Sequence, residues 1–137
     1  GTLDMNEAFG GFVIGDVVTA GSVTGRTYTH PTGTEVWAGV AHDPTKTDVY
    51  PMKFPNGGFV TAKMAAVTGD VVMNFKAEFV SQSAIIWQGV SKSISSSGDT
   101  YTWEIPATTD TYGNFLLYID ERDETLVVES VVVTPND

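Results

Sequence analysis

His42, Asp43, Tyr118 and Arg122 are the side chains best suited to moving protons in this chain, and their surroundings argue against catalysis. His42 beside Asp43 could serve as a base. Adjacent His-Asp pairs are common on loops, however, and no Gly-x-Ser-x-Gly elbow or other activated nucleophile accompanies this one. The other histidine, His30, precedes Pro31 in a turn, and the two histidines lack metal-site spacing. With no cysteine, thiolate catalysis and Cys-based zinc or iron–sulfur sites are excluded. Paired carboxylates occur in Asp120-Glu121-Arg122-Asp123-Glu124 and could act as acid and base in glycosidic cleavage. A charge cluster between two strands is more simply a solvated hairpin, with Arg122 moderating the repulsion. No enzymatic activity is expected; a small lyase or hydrolase using His42, Arg122 and Tyr118 is the weakest of three readings.

Binding chemistry is better supplied. Trp37, Trp87 and Trp103 each fall inside a separate strand-like run, where an indole either fills a core or offers a flat apolar face to a ligand. Trp103 alternates with Tyr101 and Ile105 and so reads as core. Trp37 falls opposite the apolar set Val36, Ala38 and Val40, among the small residues Gly39 and Ala41, which suits either an open ring face or a close second sheet. Trp87 shares a face with Ile85 and Gly89 and precedes a serine-rich stretch, placing it near a sheet end or edge. Tyr50 and Tyr112 stand in loop-like segments, where binding residues concentrate, or else lid the core. Trp37, Trp87, Trp103, Tyr50 and Tyr112 are therefore the candidate ligand-binding residues. Hard oxygen ligands are also available for calcium. Asp4, Asn6 and Glu7 could meet Glu129 or Asp137 if the terminal strands lie side by side.

The elements that must position these residues are strands. Period-two alternation recurs, and Gly, Asn, Asp, Ser and Pro clusters interrupt it at short intervals, as in sandwiches and barrels. Strands are predicted at Phe12–Thr19, Arg26–Thr29, Glu35–Ala41, Gly58–Ala66, Asp70–Val80, Ile85–Ser93, Thr100–Ile105, Asn114–Asp120 and Thr125–Thr134. In the fifth, Val71, Met73, Phe75, Ala77 and Phe79 are assigned to the core, and Asn74, Lys76 and Glu78 to solvent. The nearly continuous Val and Leu run of the last suits a central strand covered on both faces, in which Glu129 must find a partner or sit at the margin. With 137 residues and no linker-like break, one domain is expected over residues 1–137.

Charge narrows the partners. Seventeen acidic against seven basic residues give a net charge of −10, which repels nucleic acid and anionic lipid. No run reaches the roughly 18 apolar residues of a membrane span. Gly1-Thr2-Leu3-Asp4 has no basic n-region, so a leader, if one existed, would already be absent.

Asn6-Glu7-Ala8-Phe9-Gly10-Gly11-Phe12, Trp37-Ala38-Gly39-Val40-Ala41, Phe115-Leu116-Leu117-Tyr118-Ile119-Asp120 and Val127-Val128-Glu129-Ser130-Val131-Val132-Val133-Thr134, taken together, resemble carbohydrate-binding modules of the galactose-binding-like β-sandwich group. The resemblance implies an all-β, jelly-roll sandwich that binds an extracellular polysaccharide on aromatic side chains. It further implies one structural calcium ion held by Glu7 and Asp4, with Glu129 standing where such modules often have an aspartate. The expected function is thus non-catalytic recognition of a neutral glycan such as a β-glucan by a secreted or cell-surface domain appended to an enzyme or surface protein. A structural or adhesive β-sandwich of a surface protein is the alternative.

Overall fold

The computed structural model describes residues 3–4, 22–24, 27–29, 38–42, 50–66, 73–81, 84–119 and 125–137. Every regular element among them is a strand: β1 (Leu3–Asp4), β2 (Ser22–Thr24), β3 (Thr27–Thr29), β4 (Ala38–His42), β5 (Met52–Lys53) and β6 (Gly58–Ala66). They continue with β7 (Met73–Ser81), β8 (Ala84–Gln88), β9 (Lys92–Ile94), β10 (Asp99–Ile105), β11 (Thr111–Tyr112), β12 (Asn114–Ile119) and β13 (Thr125–Pro135). The pairings are antiparallel. One sheet has the order β10-β6-β13-β3-β2, with β1 also on β13. The other has the order β4-β12-β7-β8, with β9 beside β8 along β7, and β5 pairs with β11 in a short ribbon.

Alternation along the strands explains why the sheets stack. β6 turns Val60, Ala62, Met64 and Ala66 inward, and β13 contributes Leu126, Val128, Val131 and Val133. Opposite them lie Phe75, Ala77 and Phe79 of β7, Phe115 and Leu117 of β12, and Ile94 of β9, all in one core. The fold is an all-β sandwich. Each large side chain so buried contributes about 1.5–3 kcal/mol by leaving water. The ribbon closes one end: Phe79 meets Phe54 at 5.3 Å, Tyr112 at 4.7 Å and Phe115 at 4.8 Å between ring centroids.

Several sequence expectations hold, and others fail for identifiable reasons. β6 has the expected bounds, and β10 buries Trp103 and Ile105 while exposing Thr100, Thr102 and Glu104. The expected strand Ile85–Ser93 is instead two strands, because the ladder to β7 is interrupted at Gly89-Val90-Ser91, although Gly89 N–H still bonds to β7. The alternation expected for Trp87 also fails. A bulge sets Trp87 opposite Phe79 but Ile85 opposite Val80, so Ile86 and Trp87 both touch the core while Ile85 is 55% exposed. Glu78, assigned to solvent, is only 3% exposed and accepts a hydrogen bond from Gln88 Nε2. β13 is central, and among the described residues its outward-facing side chains are half-buried. A bulge between Val128 and Ser130 resets its parity, so a run of apolar residues buries 126 and 128 before it and 131 and 133 after it. Glu129 is the extra residue there. It is exposed and pairs with Lys63 at 3.2 Å. The expected strand Phe12–Thr19 lies outside the described residues.

Candidate binding groove at the sandwich edge

Among the described residues, β10 is an edge of the first sheet and β8 with β9 forms an edge of the second. A seam of hydrogen bonds joins the two sheets along this side. Ala66 N–H donates to Ser95 O at 2.9 Å, Ser95 N–H to Tyr101 Oη at 3.0 Å, and Trp103 Nε1–H to Val90 O at 2.7 Å. The last bond satisfies the one polar atom of a side chain that is 2% exposed.

The break between β8 and β9 is what lets Trp103 reach the second sheet. Gly89 N–H still donates to Ala77 O at 2.8 Å, holding that backbone against β7. A Cβ at Gly89 would lie 2.5 Å from Trp103 Cδ1 and 3.0 Å from the Trp87 ring, so only glycine leaves room for the two indoles to approach the backbone. Trp87 is half-buried, its ring 5.6 Å from Phe79 and its other surface at the seam.

Above this junction lies an open groove of about 500 Å³ lined by Trp87, Gln88, Lys92, Thr102, Trp103 and Glu104. That volume is within the roughly 300–1,000 Å³ of small-molecule sites. Lys92 Nζ sits 5.7 Å from the centre of the Trp103 ring, a cation–π distance. Trp103 forms the floor, Trp87 a partly open aromatic wall, Lys92 and Gln88 supply donors on one side, and Thr102 and Glu104 supply hydroxyl and carboxylate on the other. Val90 beside it is 73% exposed. Such a lining can stack one apolar face and exchange hydrogen bonds in both directions.

The other candidate residues are scattered. Tyr112 is in strand β11, not a loop, and its ring is buried against Phe54 and Phe79. Burial, then the Asp110 charge, raises its phenol pKa, opposed by a hydrogen bond with Thr108. Tyr50 precedes Pro51 through a cis peptide bond and packs against the core. Burial raises its phenol pKa strongly, a backbone hydrogen bond from Phe115 opposing. Neither tyrosine joins the groove. Trp37 lies outside the described residues, as do Glu7 and Arg122. His42 pairs with Phe115, and Tyr118 with Gly39, three register positions away on the neighbouring strand.

The terminal strands do lie side by side, with Asp4 opposite Val132. No group of three or more His, Asp or Glu side chains suited to a metal occurs among the described residues. Glu129 has Lys63 as its neighbour, and an ammonium 3.2 Å away competes with a cation for that carboxylate.

Alternation gave the outward placement of Thr102 and Glu104, but not their meeting with Trp87, Lys92 and Gln88. Their meeting depends on which strands form the edges of the two sheets, which alternation does not encode. No protein-family model matches the chain, and no curated protein matches it.

Proposed function

We propose that this domain is a non-catalytic carbohydrate-binding module that holds a neutral polysaccharide, such as a β-glucan, in the groove beside Trp87. The observation that carries the reading is the joining of a half-exposed indole with one ammonium, one carboxylate, an amide and a hydroxyl at a single open edge. A sugar ring presents an apolar face and a rim of hydroxyls that both donate and accept, so it matches that mixture. Binding would be of modest strength, because a shallow, wet site leaves much of the ligand in solvent. The domain would then work outside the cell, secreted or at the surface, keeping an appended enzyme or surface protein near its polysaccharide.

Affinity gel electrophoresis through β-1,3-glucan, xylan, mannan, agarose and alginate tests this directly. Retardation of the unaltered protein by a neutral glycan, lost in Trp87→Ala, supports the reading. Equal mobility in all gels removes it. The second reading, a structural or adhesive sandwich, draws support from the burial of Trp103 and Tyr112, which makes two of the candidate aromatics core residues. Quencher-protected, blue-shifted emission unaffected by any of these glycans would favour it.

A structural calcium ion drawn to Asp4, Glu7 and Glu129 is a separate proposal. Glu129 would have to exchange Lys63 for the ion. A rise in melting temperature on adding calcium, reversed by chelator and absent in Glu129→Gln, is the expected result if it does.

A further inference from the structure

The outward row of β10 runs from Thr100 through Thr102 to Glu104, and the register sets Phe59 of β6 directly across from Glu104. Phe59 is 37% exposed, on the face turned away from the core. A second open depression, of about 460 Å³, lies here, lined by Asn56, Phe59, Glu104, Pro106 and Asn136. The Asn136 amide is anchored there: its Nδ2–H donates to the backbone carbonyl of Asn56 at 3.2 Å, and Asn136 N–H to Gly57 O at 2.8 Å. Glu104 lines both this depression and the groove beside Trp87. Its carboxylate makes no ion pair among the described residues.

We infer that the two depressions are neighbouring subsites for one linear glycan, which passes Glu104 between an aromatic wall at Trp87 and a second apolar contact at Phe59. This rests on the carbohydrate-binding reading and adds to it the kind of chain that is taken. Both depressions are open, and among the described residues nothing in their lining walls off a chain end, so a site of this shape accepts the interior of a polymer. The charges along the path balance, with Lys92 in one subsite and Glu104 at the junction, on a chain whose net charge is −10. A uronate or sulfated chain would meet the Glu104 carboxylate at the midpoint of the path, whereas a neutral polyhydroxyl chain finds an acceptor there. Phe59 and the two asparagines supply the apolar face and the donors for the second unit.

Isothermal titration with ladders of β-1,3-gluco-oligosaccharides and xylo-oligosaccharides, disaccharide to heptasaccharide, tests the inference. With the unaltered protein, affinity for one ladder should climb with length and then level off. Phe59→Ala should flatten that climb, lowering affinity for the longest members about tenfold while leaving the shortest unchanged, and Asn136→Ala should act in the same direction. Trp87→Ala should weaken every member. Because Phe59 lies on the outer face, a thermal melt should show its variant folded. A length dependence identical in the unaltered protein and both second-subsite variants overturns the inference and leaves the carbohydrate reading standing. Affinity that is already maximal for the disaccharide does the same. Failure of the unaltered protein to bind either ladder overturns the inference, and together with equal mobility in all the gels it overturns both.

Discussion

Trp103 and Trp87 stand side by side at the seam, yet their loss should have different consequences. Trp103→Ala removes a buried indole and leaves Val90 O without its donor, so unfolding free energy should fall by about 3–5 kcal/mol in urea titrations. Trp87→Ala should cost less than that, because part of its ring already faces water. Gly89→Ala places a methyl group where the Trp103 ring already is, and overpacking at a locked ring should destabilise by about 1–3 kcal/mol. Tyr50 carries a pH signature. Below pH 10.0, its ordinary value, both folded and unfolded chains keep the phenol protonated. Above it, only the unfolded chain readily ionises there, so the unfolded state binds fewer protons and stability falls as pH rises toward the raised folded pKa. The urea midpoint should therefore drop between pH 9 and 11, and Tyr50→Phe should shallow the drop. An unchanged slope would show that the phenol ionises in the folded chain as in the unfolded one.

Among the elements, β13 is the most instructive. Its bulge at Glu129 brings the carboxylate to Lys63 in open solvent, where the pair should contribute only about 0.2–1 kcal/mol in a double-mutant cycle. Deleting Glu129 while joining Val128 to Ser130 tests the bulge itself. It would remove the extra residue and leave Leu126, Val128, Val131 and Val133 in one strict alternation on the core face, so the variant should still melt cooperatively and lose little more than the Lys63 pair, as Glu129→Gln does. This strand also marks the limit of what the amino-acid order reveals. β6 and β10 were legible because strict alternation on a half-buried sheet fixes each side chain's face. The Val and Leu run of β13 hides its own bulge, since apolar residues occupy the positions on both faces and the adjacent polar pair Glu129-Ser130 fits a strand margin as well as a change of parity. The break between β8 and β9 was hidden for another reason. Gly89 looks like an ordinary strand glycine until a distant Trp103 claims the space above it. The short β5–β11 ribbon, only two residues on each side, is held by the packing of Tyr112 and Phe54 on Phe79 and leaves no periodic trace.

For the molecule as a whole, the acidic surplus and the groove's balanced lining pull apart. Long-range repulsion from a net charge of −10 should exclude polyanions at low salt, so any retardation by alginate should appear only as salt is raised, while retardation by a neutral glucan should not depend on salt. Gels run at low and high ionic strength check this. The candidate site was half legible for the same reason as the fold. The outward face of β10 could be read from its own residues, but the meeting of that face with Trp87 and Phe59 depends on how two sheets stack and register. That stacking gives the groove an uncommon dependence. One wall belongs to each sheet, so its width is the distance between the sheets, set by the indole wedged beneath it and pinned to Val90. Trp103 is therefore the gauge of the groove: a smaller residue there would draw the rims together and a looser core would let them drift, which on the carbohydrate-binding reading proposed above would retune what fits while leaving the rim residues unchanged.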